Sequence, residues 1–471
     1  MAEIALMPTA PASRSTAGAL ASLSLAMLLS SLSTSIANVA LPTLSTAFNA
    51  SFPEVQWVVL AYLLAITALI VSVGRLGDLV GRRPLLVAGL ALFSAASLAA
   101  ALAPALALLI AARALQGLGA AVMMALTIAF VGETVPKART GSAMGLLGTM
   151  SAIGTALGPS LGGVLIGAVG WRSIFLVNAG LGVAAMLAAW SFLPAGAHKV
   201  ADEKTRFDIV GTLLLAATLA AYALAMTTGR GHFDGLNGAL LALAALGAVL
   251  FVVAEAKVAS PLVKLALLRD GVLGASLAMN VLVSTVMMAT LVVGPFFLSR
   301  ALGLSEAMTG AVLSIGPVVS ALCGVIAGRV VDRLGASAMV LAGLALLVAG
   351  CIALAMLPEL FGVAGYAAAI MLLTPGYQLF QAANNTSVMA DIGQSERGVV
   401  SGMLSLSRNL GLVTGTAVMG ALFAFAARTK EMAYAAPESV AHGMTFTFAV
   451  AAGLTAVAAA IATVGIWRKR Q

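Results

Sequence analysis

The chain has 471 residues, 61% of them hydrophobic and 9% charged, with a formal net charge of +8. A soluble protein would carry roughly a quarter of its residues as charges, so a water-solvated globular fold is excluded. Strand-length alternation of the outer-membrane barrel kind is absent, which leaves helices as the way to satisfy a backbone in lipid.

Residues 1–17 hold one arginine, Arg14, and two prolines. The apolar run that follows is too long for a cleaved leader and is followed by another span, so 1–17 reads as a cytoplasmic tail. Apolar runs long enough to cross the hydrocarbon, about 20 residues each, then predict spans at 18–42, 55–76, 84–104, 106–129, 141–168, 172–193 and 208–227. A second series falls at 236–256, 272–297, 308–328, 336–357, 361–383, 399–425 and 444–467. The Ala103-Pro104 break divides the long run 84–129 in two. The seventh and eighth runs, rich in Ala and Leu, also read as a re-entrant pair. Cys323 and Cys351 fall inside apolar runs and read as packing residues, not a bridge or metal site. No cofactor and no metal are expected.

Charge orients the spans. With the N-terminus inside, eighteen Lys and Arg fall in cytoplasmic segments, five fall outside, and Arg113 and Arg408 lie within spans. That bias predicts an even number of spans with both termini in the cytoplasm. The positive charge is therefore an orientation signal; no clustered basic face suggests nucleic acid. No Asp or Glu lies near the middle of any span.

The segment Gly74-Arg75-Leu76-Gly77-Asp78-Leu79-Val80-Gly81-Arg82-Arg83 joins the second and third spans, and Gly328-Arg329-Val330-Val331-Asp332-Arg333-Leu334-Gly335 joins the tenth and eleventh. Both read G-R-x-x-D-x-x-G in a short cytoplasmic loop, which implies two related bundles. The expected division is 18–195 and 261–471 for the bundles, with 196–260 carrying two inserted helices. Asp78 and Asp332 suit a latch that accepts hydrogen bonds at a helix N-terminus and pairs with Arg82 or Arg83 across the cytoplasmic face.

These residues resemble the major facilitator superfamily, and within it the fourteen-helix drug:proton antiporter branch. Further matching stretches are Ile36-Ala37-Asn38-Val39-Ala40-Leu41-Pro42, with Gln56-Trp57 and Tyr62 after it, and Arg113-Ala114-Leu115-Gln116-Gly117-Leu118-Gly119. Gly154-Thr155-Ala156-Leu157-Gly158-Pro159-Ser160-Leu161-Gly162-Gly163, Trp171 to Asn178, and Arg408-Asn409-Leu410-Gly411 complete the set. The second loop copy is degenerate, ending Gly335-Ala336 without the double arginine. The resemblance implies an all-α polytopic major facilitator fold in the cytoplasmic membrane, with 14 helices in two six-helix bundles plus two inserts. It further implies a monomer, to which accessory efflux subunits can couple, that exports small organic solutes or drugs by proton antiport.

Gly154, Gly158, Gly162 and Gly163 are spaced to let another helix approach closely, and Pro159 removes one helix hydrogen bond, so this span is expected to gate. Arg113 is costly in lipid and should face the bundle interior or a partner, with Gln116 on the same face. In the resembling family this arginine is tied to proton coupling. Arg408 lies less deep and can snorkel to the interface. Candidate cavity residues are Ser33, Asn38, Gln116 and Asn178 in the first half, and Asn280, Tyr377, Gln378, Gln381, Asn384 and Asn385 in the second. Methionines such as Met279, Met287 and Met288 would suit a tolerant pocket.

One position departs from the family. Where the antiporters carry an acid in the first span, this chain has Ser33. A buried organic cation is best held by a carboxylate or an aromatic face, so an anionic, neutral or zwitterionic solute fits Arg113 better than a dication. Two other readings follow: a specific exporter or facilitator of an anionic or neutral metabolite with weak or no proton coupling, and a membrane scaffold or sensor without transport. An enzyme is not expected, since no acid pair, His/Cys cluster or phosphate loop occurs in a soluble segment.

Overall fold

The computed structural model describes residues 16–134, 140–194, 208–228, 234–258, 271–390, 397–428 and 435–470, apart from some side chains within them. The described residues form helices joined by short turns, with no strand among them. In chain order the first eight are α1 (Thr16–Ala47), α2 (Phe52–Val80), α3 (Arg82–Leu102), α4 (Leu106–Thr134), α5 (Thr140–Val169), α6 (Arg172–Phe192), α7 (Ile209–Thr227) and α8 (Gly235–Lys257). Then come α9 (Gly271–Phe296), α10 (Glu306–Leu313), α11 (Ile315–Leu334), α12 (Ala336–Ala390), α13 (Arg397–Thr414), α14 (Gly420–Ala426) and α15 (Pro437–Arg470).

Ala103-Pro104 does separate α3 from α4, and the seventh and eighth runs are two full helices. Several ends shift outward: α1 runs through Pro42 to Ala47, and α15 begins at Pro437 instead of 444. Pro42 lacks the N–H that would bond the Asn38 carbonyl four residues earlier, a loss tolerated inside a membrane helix.

α12 is continuous in its hydrogen bonding but cannot be one crossing. Fifty-five residues would extend to about 80 Å at 1.5 Å per residue, against about 30 Å of hydrocarbon. The chain reverses at Gly362 (φ 54°, ψ −130°), a conformation glycine alone adopts without strain. Its two arms then pack antiparallel, Gly343 against Phe380 and Gly350 against Leu373. With α10 and α11 stacked into one crossing, and α13 and α14 joined into another, the described residues make fourteen crossings.

Two of these crossings contain π-helical turns, Phe297–Ala301 after α9 and Gly415–Met419 between α13 and α14. A π turn inserts a residue and reorients the carbonyls around it. Helices α1 to α6 pack among themselves and α9 to α15 do likewise, while α7 and α8 form a hairpin against α2. Ser72 Oγ and Thr212 Oγ1 lie 2.7 Å apart across that contact, and Trp57 Nε1 donates to Thr227 Oγ1 at 3.1 Å. The lipid-facing side of α8 is a run of exposed leucines and valines, including Leu243, Leu246, Val249 and Val253. Cys323 and Cys351 are both free thiols.

Candidate translocation site

Arg113 sits about two turns into α4 with no exposed surface. Its Nε donates to Val58 O at 2.9 Å, Nη1 to Ser33 Oγ at 3.0 Å and to Gln116 Oε1 at 2.6 Å, and Nη2 to Ser33 O at 3.3 Å. The guanidinium also lies over the Tyr62 ring, 4.1 Å from its centroid, a cation–π contact strengthened by desolvation. Gln116 shares the face of Arg113 one helical turn on, and passes the network outward by donating to Ser97 Oγ at 2.7 Å. Tyr62 Oη donates to Ser30 O at 2.9 Å. One arginine thus ties α1, α2, α3 and α4 together through neutral oxygens and a ring.

The local sequence makes this possible. A Cβ at Gly117 would meet the carbonyl of Tyr62, so glycine there lets α4 seat directly on α2 beside the guanidinium. Ser33, small and hydroxylated, supplies both its carbonyl and its side-chain oxygen. Sequence reasoning singled out Arg113, Gln116 and Ser33 separately. That all three form one network could not be seen, because nothing in a single chain gives the register of α1 against α4.

The helix-5 stripe divides in a way its spacing did not show. The spacing implies one close-packed face for Gly154, Gly158, Gly162 and Gly163 on a span expected to gate. Instead Gly154 packs on Leu28, Gly158 on Ser35 and Gly162 on Ile36, all from α1 in the same bundle. Residues four apart share a face, so 154, 158 and 162 follow one neighbour. Gly163 lies one step round the helix and meets Glu306 and Gly310 of α10, where the Pro159 carbonyl also lies. Ser31 and Ser151 hydroxyls, 2.7 Å apart, reinforce the α1–α5 contact.

The bundles join at the end of the molecule away from the Lys- and Arg-rich loops. There Phe52 packs edge-on against Phe296 and Phe423, at centroid distances of 4.8 and 5.4 Å. Gln56 Nε2 donates to Thr416 O at 2.7 Å, a carbonyl within the second π turn. Arg300, at the end of the first π turn, donates to Thr46 Oγ1 at 3.0 Å. Gly163 against Gly310 completes this closed end. Helix α7 packs against the second π turn, so the inserted hairpin also touches the seam. The two π turns and Gln56–Thr416 as a cross-bundle bond escaped sequence reasoning, since no residue pattern marks a π turn.

The remaining candidates scatter. Asn38 is buried, donates to Thr34 O at 2.8 Å and leaves Oδ1 without a partner. Asn178 is fully buried with both amide atoms unpartnered. Asn280 is committed to α13, donating to Leu404 O at 2.9 Å and Ser407 Oγ at 2.8 Å, so it fastens helices within its bundle instead of presenting its amide nitrogen to a cavity. Tyr377, Gln378 and Gln381 are half-buried on one face of α12: Gln381 donates to Tyr377 Oη at 3.0 Å, and Gln378 hydrogen-bonds Ser320 of α11. Asn385, one turn beyond Gln381 on the same helix face, is exposed.

Two loop residues reach helices of their own bundle. Arg82 Nη1 donates to Ala129 O of α4 at 3.4 Å, and Arg83 hydrogen-bonds the Trp190 carbonyl of α6 while lying 5.4 Å from that indole. Asp332 is exposed. The side chains of Asp78 and Glu133 lie outside the described residues. Arg408 is half-buried, with Nε unpartnered. Asp208 and Glu255, which the sequence places only at span ends, are buried. Among the described residues no cluster of His, Cys, Asp and Glu could hold a metal ion.

Comparison with known proteins bears directly on this architecture. The sequence pattern of the Major Facilitator Superfamily matches residues 23–416. The chain belongs to the major facilitator superfamily. It is thus a membrane transporter and not an enzyme. It is 30% identical over 400 residues to the riboflavin transporter RibZ of Clostridioides difficile, covering 84% of this chain and 86% of that one. It is 32% identical over 392 residues to the multidrug resistance protein Stp of Mycobacterium tuberculosis, covering 83% and 72%. The fold is shared with a bacterial homologue of the lysosomal transporter Spinster, solved in an inward-facing, unoccupied conformation, with a TM-score of 0.70, 14% identity and 96% of each chain covered. Its efflux-pump relatives support the drug-export branch that the sequence motifs resemble.

Proposed function

We infer that the protein exports small organic compounds by alternating access, with proton exchange as the driving reaction. The moving units are the bundles at 18–195 and 261–471, and the inserted hairpin at 196–260 rides against the first. The observation that carries this reading is the closure of the bundles at one end by contacts that separate without unfolding either bundle: Gln56 on Thr416, Arg300 on Thr46, and glycine on glycine at 163 and 310. Placing the Lys- and Arg-rich loops in the cytoplasm, with both termini, makes this an outward-closed state. The half-buried polar faces at Tyr377, Gln378 and Gln381 on α12 and at Thr34, Ser151 and Thr155 on α1 and α5 then line the path. Relatives named for multidrug resistance and for riboflavin agree with an organic cargo.

A second reading is favoured by the surroundings of Arg113. The guanidinium meets neutral oxygens, and Ser33 occupies the site of the family's acid. That chemistry suits an anionic or neutral metabolite with weak proton coupling. Purified protein in proteoliposomes, assayed with a cationic dye, an organic anion and a neutral flavin, with and without a pH gradient, separates the two. Antiport is expected to raise flux at least tenfold under the gradient; equal flux establishes the second reading. Strong dication transport would overturn the charge argument in both.

A further inference from the structure

A cavity of about 50 Å³ lies inside the second bundle, lined by α9, both arms of α12 and α15. Since every wall belongs to that bundle, it is separate from the seam between bundles. It sits toward the ends of these helices that carry the Lys- and Arg-rich loops, with exposed Ser337 at its rim. Val272, Met279, Val340 and Ile461 give apolar walls. Ser276, Ser337 and Ser387 also line it, and its buried amide is Asn384, 1% exposed, whose Oδ1 has no hydrogen-bond partner while Nδ2 reaches Ser276 O at a long 3.4 Å.

We propose that this cavity is a binding site for an uncharged amphiphile with a hydroxyl head and a short apolar chain. The open group at Asn384 is an acceptor, so the ligand must donate a hydrogen bond. No charged side chain among the described residues lines the cavity, so an ammonium head would lack a counter-anion and a carboxylate or phosphate would lack a counter-cation. A buried acceptor without a partner favours any donor that reaches it, and an aliphatic alcohol supplies one while its chain covers the valine, isoleucine and methionine walls. The volume exceeds that of a single water, which needs about 10–15 Å³ by this measure.

The test is photolabelling of the full-length protein in phosphatidylcholine vesicles with 3-azioctanol, followed by peptide mapping. The expected result is saturable labelling on 272–279, 337–340, 384–387 and 461–465, displaced by unlabelled 1-octanol. Ala275→Phe and Ser387→Leu fill the cavity from different walls, and each should cut that labelling at least fivefold. Asn384→Leu keeps the side-chain size and should raise the half-saturating concentration about tenfold, as expected for one lost buried hydrogen bond. Labelling of α8, which faces lipid, should be the same in all proteins and serves as the internal standard. Labelling that does not saturate, that is unchanged in the filled variants, or that maps to α8 alone overturns the proposal. Should a filled variant elute aggregated, octanol competition on the wild type and the Asn384→Leu shift decide the matter.

Discussion

Arg113 makes four hydrogen bonds to four oxygens drawn from three helices. Its planar fork is what allows this; an ammonium is a single point with three donors on a flexible stem. Arg113→Lys should therefore strand at least two buried acceptors at about 1–3 kcal/mol each. The expected outcome is a lower melting temperature of the purified protein together with lost solute flux. Unchanged flux with a lowered melting temperature would make the residue purely structural. The reverse experiment is Ser33→Asp, which would place a carboxylate against Nη1 and Nη2 and create a charge-assisted pair. Neutralising the guanidinium in this way should raise cationic-dye efflux in whole cells and lower flux of an organic anion. The residue types were legible in the sequence because a buried arginine must be satisfied by something. The partner at Val58 was not, since a backbone carbonyl carries no signature.

At the scale of elements, the gate is where local geometry and function meet. Gln56 donates to a carbonyl of the Gly415–Met419 π turn, and removing that bond by Gln56→Ala should weaken the closed state by about 1 kcal/mol, roughly a fivefold change in population. Gly163→Ala acts at the same seam by crowding Gly310. With Cys323 and Cys351 replaced by Ser, a cysteine at buried Thr416 reports the change. Both variants should accelerate its reaction with a membrane-impermeant thiol reagent. Gly162→Ala, whose neighbour is Ile36 in the same bundle, should not. That contrast between neighbouring glycines follows from which helix each one faces, which spacing alone leaves undetermined. Span positions, by comparison, were legible almost throughout, because the bilayer fixes their length. The reversal at Gly362 falls at the break between the runs 336–357 and 361–383, although helical hydrogen bonding continues through it, and α10 and α11 together fill the single run read at 308–328.

Taken as a whole, the molecule is two bundles with α7 and α8 fastened mainly to one of them, and the duplicated loop motif made that pairing visible in the sequence. What the motif did not show is that Arg82 and Arg83 hold helices α4 and α6 of their own bundle. The first bundle is thus braced internally from loop to centre, and Arg113 travels with it as a fixed part. Among the described residues that guanidinium has only neutral partners, so the bundle carries an uncompensated elementary charge. A charge crossing the whole membrane field responds by about 2.3 kcal/mol per 100 mV; rocking it through about a fifth of that field would give about 0.5 kcal/mol, close to a factor of two in population. Transport of an uncharged solute at equal pH on both sides should then change with a potassium diffusion potential, and the dependence should vanish in a functional Ser33→Asp variant. The transporter would in that case be a weak voltmeter, reading the energised state of its membrane through a buried charge that moves with its bundle.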